Sequence, residues 1–242
     1  MARSRFLSFA SAAALGIALL VLGACAPSPG QEQAEPFAPA ETTLDKSGLY
    51  ALGESVSVGG LADEGQATAS DEALFVQLAS IMKLDTLPEG VESSDFRGGS
   101  FDASSAAAMK ERLGFAPDAE GGLPEGYSYV LVEESVTNAT DGTVTYDVSQ
   151  GRFALRGDAG ELENVGTDDP LWRSEWSGSN LKQYWQVSLE ARESASVQLL
   201  YALPDDAIDA AGLAYLVDPG NANGEEGFTG LKAFDVAGQI QG

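Results

Sequence analysis

The chain contains no histidine. That absence excludes the Ser-His-Asp triad, the imidazole general base and any zinc site that needs His ligands. Cysteine is almost as scarce, because Cys25 stands alone. A single thiol permits no internal disulfide. Basic residues are few: 13 Lys and Arg face 37 Asp and Glu, for a formal charge of −24. Such a surface repels nucleic acid and anionic headgroups, so no nucleic-acid partner is expected, and it favours cations or basic partners. No βαβ alternation, no clear internal repeat and no Gly-x-Ser-x-Gly nucleophile elbow occurs. These absences argue against parallel α/β folds, repeat arrays and α/β-hydrolase chemistry.

What is present begins with a leader. Arg3 and Arg5 precede an apolar stretch, Phe6 to Val21, and then Leu22-Gly-Ala-Cys25. The stretch is shorter than the ~20 residues of a membrane-spanning helix and has no stop-transfer flank, so it reads as an export signal. Its end resembles the bacterial lipobox, which implies cleavage before Cys25 and a diacylglycerol thioether on its sulfur. Residues 1–24 are therefore expected to be a lipoprotein signal peptide. Cys25 with 26–47, rich in Pro, Gln, Glu and Ala, forms a lipidated, disordered tether. Acyl chains stabilise membrane association by roughly 0.8 kcal/mol per buried methylene, so the expected location is the extracytoplasmic face of a bacterial cell membrane.

Residues 48–242 read as one β-sandwich domain. Tyr127–Asn138 is the strongest strand signal, following Gly126 and ending at Asn138-Ala-Thr-Asp-Gly142. Val130, Val132 and Val136 fall on one face, and Tyr127, Tyr129 and Leu131 on the other. Further strands are expected at Leu49–Gly60, Val144–Val148, Arg152–Arg156, Lys182–Leu189, Ala195–Tyr201, Leu213–Val217 and Leu231–Val236. In Lys182–Leu189, Trp185, Val187 and Leu189 share a face. Gly166–Asn180 reads as an irregular connection. A helical insertion is expected at about 61–126. One helix runs from Ser70 to Lys83 on the stripe Leu74, Phe75, Leu78, Ile81 and Met82. A second runs from its N-cap Asp102 through Ala106, Met109 and Leu113 to Gly114. The fold class is mostly β: an antiparallel immunoglobulin-like β-sandwich with a short helical insertion.

The order of several short motifs carries a resemblance. Val136-Thr-Asn138 is followed by Phe153-Ala-Leu155 with Asp158-Ala-Gly160, and then Leu189-Glu-Ala-Arg-Glu193-Ser194. Val197-Gln-Leu-Leu-Tyr201, Leu203-Pro-Asp-Asp-Ala207 and Leu213-Ala-Tyr215 complete the set, with Leu52-Gly-Glu-Ser-Val56 ahead of it. This pattern resembles the telokin-like, immunoglobulin-like lipoprotein domains of Gram-positive bacteria, of the type of the mycobacterial immunoprotective extracellular protein. The resemblance spans about residues 127–217 and implies the sandwich fold. The family has no catalytic residues to carry over. Two features depart from it: Ala191-Arg192 stands where the family has Pro-Gly, and the insertion is extra.

Candidate ligand-binding residues are Trp172, Trp176 and Tyr184, with Trp185, Arg173 and Asn180 nearby. Exposed indole faces stack on sugar rings or anchor peptides, whereas Trp185 suits the core. Among acidic clusters, Asp168-Asp169, Asp205-Asp206 with Asp209, and the loop Asp218–Glu226 supply hard oxygens. The candidate calcium ligands are Asp218, Asn221, Asn223 and Glu225. That loop lacks the EF-hand register, and a solvated acidic turn is the plainer reading. Paired carboxylates could also hydrolyse glycosides, although 37 acids produce pairs by chance. Asn138-Ala-Thr140 matches a glycosylation sequon and reads as a turn. The expected function is a non-catalytic envelope lipoprotein that binds protein or glycan and uses no cofactor beyond its lipid anchor. An envelope hydrolase and a calcium-binding structural module are the alternatives.

Overall fold

The computed structural model describes residues 48–62, 73–176, 180–217 and 232–242. All lie in the compact unit Ala40–Gly242. Cys25, the leader, the tether and the loop holding Asp218, Asn221, Asn223 and Glu225 lie outside the described residues. Among the described residues, no helix is long and apolar enough to cross a membrane.

In chain order the strands are β1 (Leu49–Ala51), β2 (Ser55–Val58), β3 (Leu61–Ala62), β4 (Leu74–Leu84) and β5 (Tyr127–Asn138), followed by β6 (Val144–Asp147) and β7 (Gly151–Arg156). Then come β8 (Leu162–Asn164), β9 (Trp172–Arg173), β10 (Asn180–Gln183), β11 (Gln186–Leu189), β12 (Ser194–Pro204), β13 (Leu213–Val217) and β14 (Lys232–Asp235). A kinked 3-10 segment, Ser93–Gly98, and helix α1 (Ala103–Leu113) lie between β4 and β5. The short helix α2 (Asp205–Ile208) follows β12.

One layer is the sheet β2-β4-β5-β12-β9. The other is made of two sheets, β1-β14-β13-β7-β8 and β10-β11-β6-β3. The main core joins the layers: Val76, Leu78, Val132 and Leu199 of the first pack with Tyr146, Val187, Phe153 and Tyr215 of the second. Full burial of such aliphatic side chains stabilises the fold by roughly 1.5–3 kcal/mol each. Among the described strands the pairing is antiparallel except that β1 runs parallel to β14. This is the expected mostly-β, antiparallel immunoglobulin-like sandwich with a short helical insertion.

β5 occupies the expected residues and is paired along its length. Its partner β12 runs in register from Ser194 opposite Thr137 to Pro204 opposite Tyr127. Val130, Val132 and Val136 enter the main core. Tyr129 and Leu131 enter a second core with Phe96, Met109, Phe115, Leu171, Leu200 and Ala202. One face of this sheet is therefore covered by the opposing layer, and the other is covered by the insertion around Tyr129 and Leu131.

Three expectations are corrected. Leu49–Gly60 holds two strands, β1 and β2, which join different sheets across a turn at Gly53 (φ 86°). Of the expected helix Ser70–Lys83, residues 70–72 lie outside the described residues, and from Leu74 onward the segment is β4. A bulge between Leu78 and Ser80 inserts a residue, so the core-facing series Leu74, Val76, Leu78 resumes at Ile81. That three-residue step, with Met82 facing the second core, imitated a helical stripe. The insertion accordingly opens after Leu84 rather than at 61. Lys182–Leu189 is also no single strand: β10 and β11 form a hairpin with Tyr184 and Trp185 at its tip. Helix α1 agrees with its expectation: the Asp102 side chain accepts from Ser105 N at 2.8 Å, and Gly114 ends the helix at φ 82°.

The main core encloses one carboxyl group. Glu134 continues the Val130-Val132 face of β5 and is 1% exposed. Tyr146 Oη donates to its Oε1 at 2.6 Å, and Tyr215 Oη lies 3.3 Å from Oε2. Tyr215 meets Tyr201 at 2.9 Å, and Tyr201 reaches the Gly151 carbonyl at 3.1 Å. Burial pushes Glu134 up from its ordinary 4.5 to about 7, while the two tyrosine hydroxyls act in the opposite direction. Both protonation states can be paired. The carboxylate accepts from Tyr146 and Tyr215; the acid donates to Tyr215, which turns toward Tyr201.

Two turns fix the end of the sandwich. Asn138 is fully buried, and its Nδ2 donates to Gly142, Leu189 and Glu190 carbonyls at 2.7, 2.9 and 3.0 Å. Its Oδ1 accepts from Thr140 N and Oγ1, both at 2.8 Å. The turn before β12 closes through Glu193 N to Glu190 O at 3.0 Å, with Arg192 at φ 66°. A positive φ at this third turn position is the type II geometry that Pro-Gly favours. The departure Ala191-Arg192 therefore keeps the turn but places a non-glycine residue in the left-handed region.

Candidate functional site

The 3-10 segment of the insertion and the Trp172–Tyr184 region meet on the second-core side of the sandwich. β9 pairs with β12, Trp172 opposite Leu200, which seats Trp172 against the second core. Trp176 and Trp185 pack against the main core. Arg97 N donates to the Leu171 carbonyl at 2.7 Å, tying the insertion to the start of β9. The resulting cavity, of about 580 Å³, is lined by Asp95, Gly98, Trp172, Arg173, Trp176 and Tyr184, with Glu175 on its wall. Trp172, Trp176 and Tyr184 thus share one cavity. Asn180 opens the neighbouring strand β10.

Tyr184 frames the cavity. Its ring carries the Arg173 guanidinium 4.5 Å from its centroid and meets Trp185 edge-on at 4.5 Å. Gly98 backs it closely: a Cβ there would lie 2.7 Å from Cδ2. Gly98 has φ 67°, so glycine serves both the backbone conformation and the approach. Trp172 and Trp176, both half-buried, are the indoles on the cavity wall. Arg173 is 8% exposed. Its Nε donates to the Tyr184 carbonyl and its Nη1 to the Ser174 carbonyl at 2.6 Å. Burial holds the guanidinium below its usual pKa, with Tyr184 and Glu175 opposing that shift. The Trp176 indole N–H is buried and meets no acceptor among the described residues.

Asp95, Gly98 and Gly99 complete the cavity and were not apparent beforehand, because they come from a segment remote in sequence. The Gly98-Gly99 pair, both at positive φ, was the available signal of a close backbone approach. Two further clefts border the same segment. One, of about 430 Å³, lies between Ser93, Phe101, Asp102 and Asp118. The other, of about 390 Å³, lies between Arg97, Ser104, Met109 and Arg112. The arginines of the smaller cleft are paired, Arg97 with Asp169 at 3.5 Å and Arg112 with Asp168.

Of the remaining acidic candidates, Asp205 serves the scaffold. Asp205 accepts from Ser128 Oγ at 2.6 Å and pairs with Lys83 at 2.9 Å. Those contacts, Ser128 first, hold its carboxyl below the usual range. Ser80 and Lys83 have Ser-x-x-Lys spacing, but they lie on a strand and are bonded to Glu133 and Asp205. Among the described residues, no three His, Cys, Asp or Glu side chains gather into a metal site.

Fold and cavity together define a β-sandwich protein with an aromatic pocket at its inserted side. No protein-family model matches the chain, and no curated protein matches it significantly. The chain is similar in structure to the yjhA protein from Bacillus subtilis, at 11% identity and TM-score 0.41, covering 74% of this chain and 88% of that one. It is also similar to an uncharacterized β-sandwich protein from Clostridium difficile 630, at 10% identity and TM-score 0.34, covering 83% of this chain and 98% of that one.

Proposed function

We propose that this protein is a lipid-anchored, extracytoplasmic binding module of the telokin-like lipoprotein type, which holds a sugar ring of an envelope glycan between Trp172 and Trp176. The carrying observation is the convergence of Trp172, Trp176 and Tyr184 on one cavity with Asp95, Arg173 and Glu175. Indole faces bury the C–H face of a sugar, and carboxylates accept its hydroxyl protons. The anchor reading rests on the lipobox-like Leu22–Cys25; Cys25→Ser is expected to release the protein into the medium.

Titration of tryptophan fluorescence with glycan fragments tests the cavity. Trp172→Ala and Trp176→Ala are each expected to weaken binding by about tenfold or more, as loss of a stacked aromatic does. Saturable binding that both variants leave unchanged refutes the reading. Asp95 and Glu175 sharing one cavity favour a second reading, glycoside hydrolysis by paired carboxylates. It requires release of reducing ends, abolished by Asp95→Asn or Glu175→Gln.

A further inference from the structure

We propose that the sugar held in this cavity is a hexosamine with a free, protonated amine; the inference rests on the glycan-binding reading above. The wall sets two carboxylates, Asp95 and Glu175, against one guanidinium, Arg173. That guanidinium is already engaged, with Nε and Nη1 on backbone carbonyls and its charge over the Tyr184 ring. It has little left to offer an anionic ligand. Trp172 and Trp176 are the indoles on the cavity wall, and indole is the most favourable aromatic partner for a cation within about 6 Å of its centroid.

Asp95 is placed for this role by its own segment. Its Oδ2 accepts from Glu92 N at 2.9 Å, which fixes the carboxylate at the start of the 3-10 turn while leaving acceptor capacity on Oδ1. Glu175 comes from the segment after β9. An ammonium between them gains ion pairing and an indole face together. The net charge of −24 adds a long-range field that concentrates cations around the molecule. An N-acetylated amine is neutral and gains neither contribution, and a uronic acid is repelled by both carboxylates.

The test compares oligomers of one length on the full-length protein at about pH 6 and about 50 mM salt, where screening is modest. The probes are a glucosamine oligomer, its N-acetylated twin, a glucuronic acid oligomer and lysine amide. The amine-bearing oligomer is expected to bind about tenfold tighter than its acetylated twin, a difference consistent with one ion pair plus one cation–π contact. Asp95→Asn combined with Glu175→Gln is expected to weaken both oligomers through lost hydroxyl contacts and to erase the advantage, leaving the two within about twofold of each other. Removing equal charge elsewhere on the insertion, with Glu89→Gln and Glu125→Gln, leaves the advantage in place.

Equal or tighter binding of the acetylated twin, still lost in Trp172→Ala, overturns the amine preference and leaves the glycan site standing. An advantage that survives the Asp95 and Glu175 changes, or that disappears with Glu89 and Glu125, assigns the amine to the general acidic surface and overturns the proposal. Binding of lysine amide in a Trp172-dependent manner, without any sugar, overturns the glycan source. No binding of any probe removes both readings together.

Discussion

The two faces of β5 meet different neighbours. Val130, Val132, Glu134 and Val136 look into the opposing layer, where a closed core surrounds one carboxyl and three tyrosines. Tyr129 and Leu131 look out to the insertion, whose smaller core is bordered by three clefts. The first face is built from strands paired over long registers. The second is built from a kinked turn, one helix and loops, which leave gaps that strand-on-strand packing would fill. Stability is thus concentrated on one side of a single sheet, and the space for a ligand on the other.

The strongest way to break this comparison is to truncate one phenylalanine on each side. Phe153 meets Tyr201 and Tyr215 edge-on at 5.2 and 5.1 Å, and both Phe153 and Phe96 are fully buried. Phe153→Ala is expected to cost about 4 kcal/mol in global unfolding by denaturant, the usual penalty for a buried ring. Phe96→Ala is expected to cost about 3 kcal/mol locally. Hydrogen exchange should then show opening across residues 85–126 while the β5–β12 amides stay protected, with loss of cavity binding.

Glu134 distinguishes the sides by pH. Its folded value of about 7 lies above its ordinary 4.5, so the folded state holds the proton more tightly. That contribution is complete below about 4.5 and is lost as pH rises through about 7, on the order of 3 kcal/mol over the interval. Subtracting the stability profile of Glu134→Gln from that of the parent should isolate this decline; a flat difference from pH 4 to 8 refutes it. Gly98→Ala comes next. Its Cβ would strike Tyr184 at a left-handed backbone position, a loss of about 2 kcal/mol. Weakened ligand binding with an unchanged Phe153-side core, read by hydrogen exchange, is the expected pattern. The smallest effect has the opposite sign. Arg192→Gly relieves a positive φ and is expected to stabilise by about 1 kcal/mol, seen as a raised Tm. The Arg192–Asp141 pair it removes is well exposed and contributes little.

β5, β12 and α1 were legible in the sequence because local signals and tertiary position agree in each: alternation in the strands, Asp102 and Gly114 at the ends of the helix. β4 was misread because a bulge shifted its core-facing series, and the exposed Phe75 and half-buried Met82 filled out a helical spacing. The hairpin tip at Tyr184-Trp185 was hidden because aromatic residues carry a strand signal even in a turn. Glu134 had a readable sign, a carboxyl on the valine face of β5, which alternation alone passed over. For the candidate site, the aromatic half was visible from composition. The acidic half was not, because Asp95 reaches the cavity only through the fold of the insertion.

Asn138 is the acceptor of a glycosylation sequon and also a fully buried clasp holding three carbonyls. Once the sandwich has closed, no transferase can approach its amide. In a eukaryotic secretory host, the two events would compete for the same nitrogen during translocation. Glycan occupancy at Asn138 would then act as a stopwatch, marking chains that were modified before β5 and the turn after β11 came together.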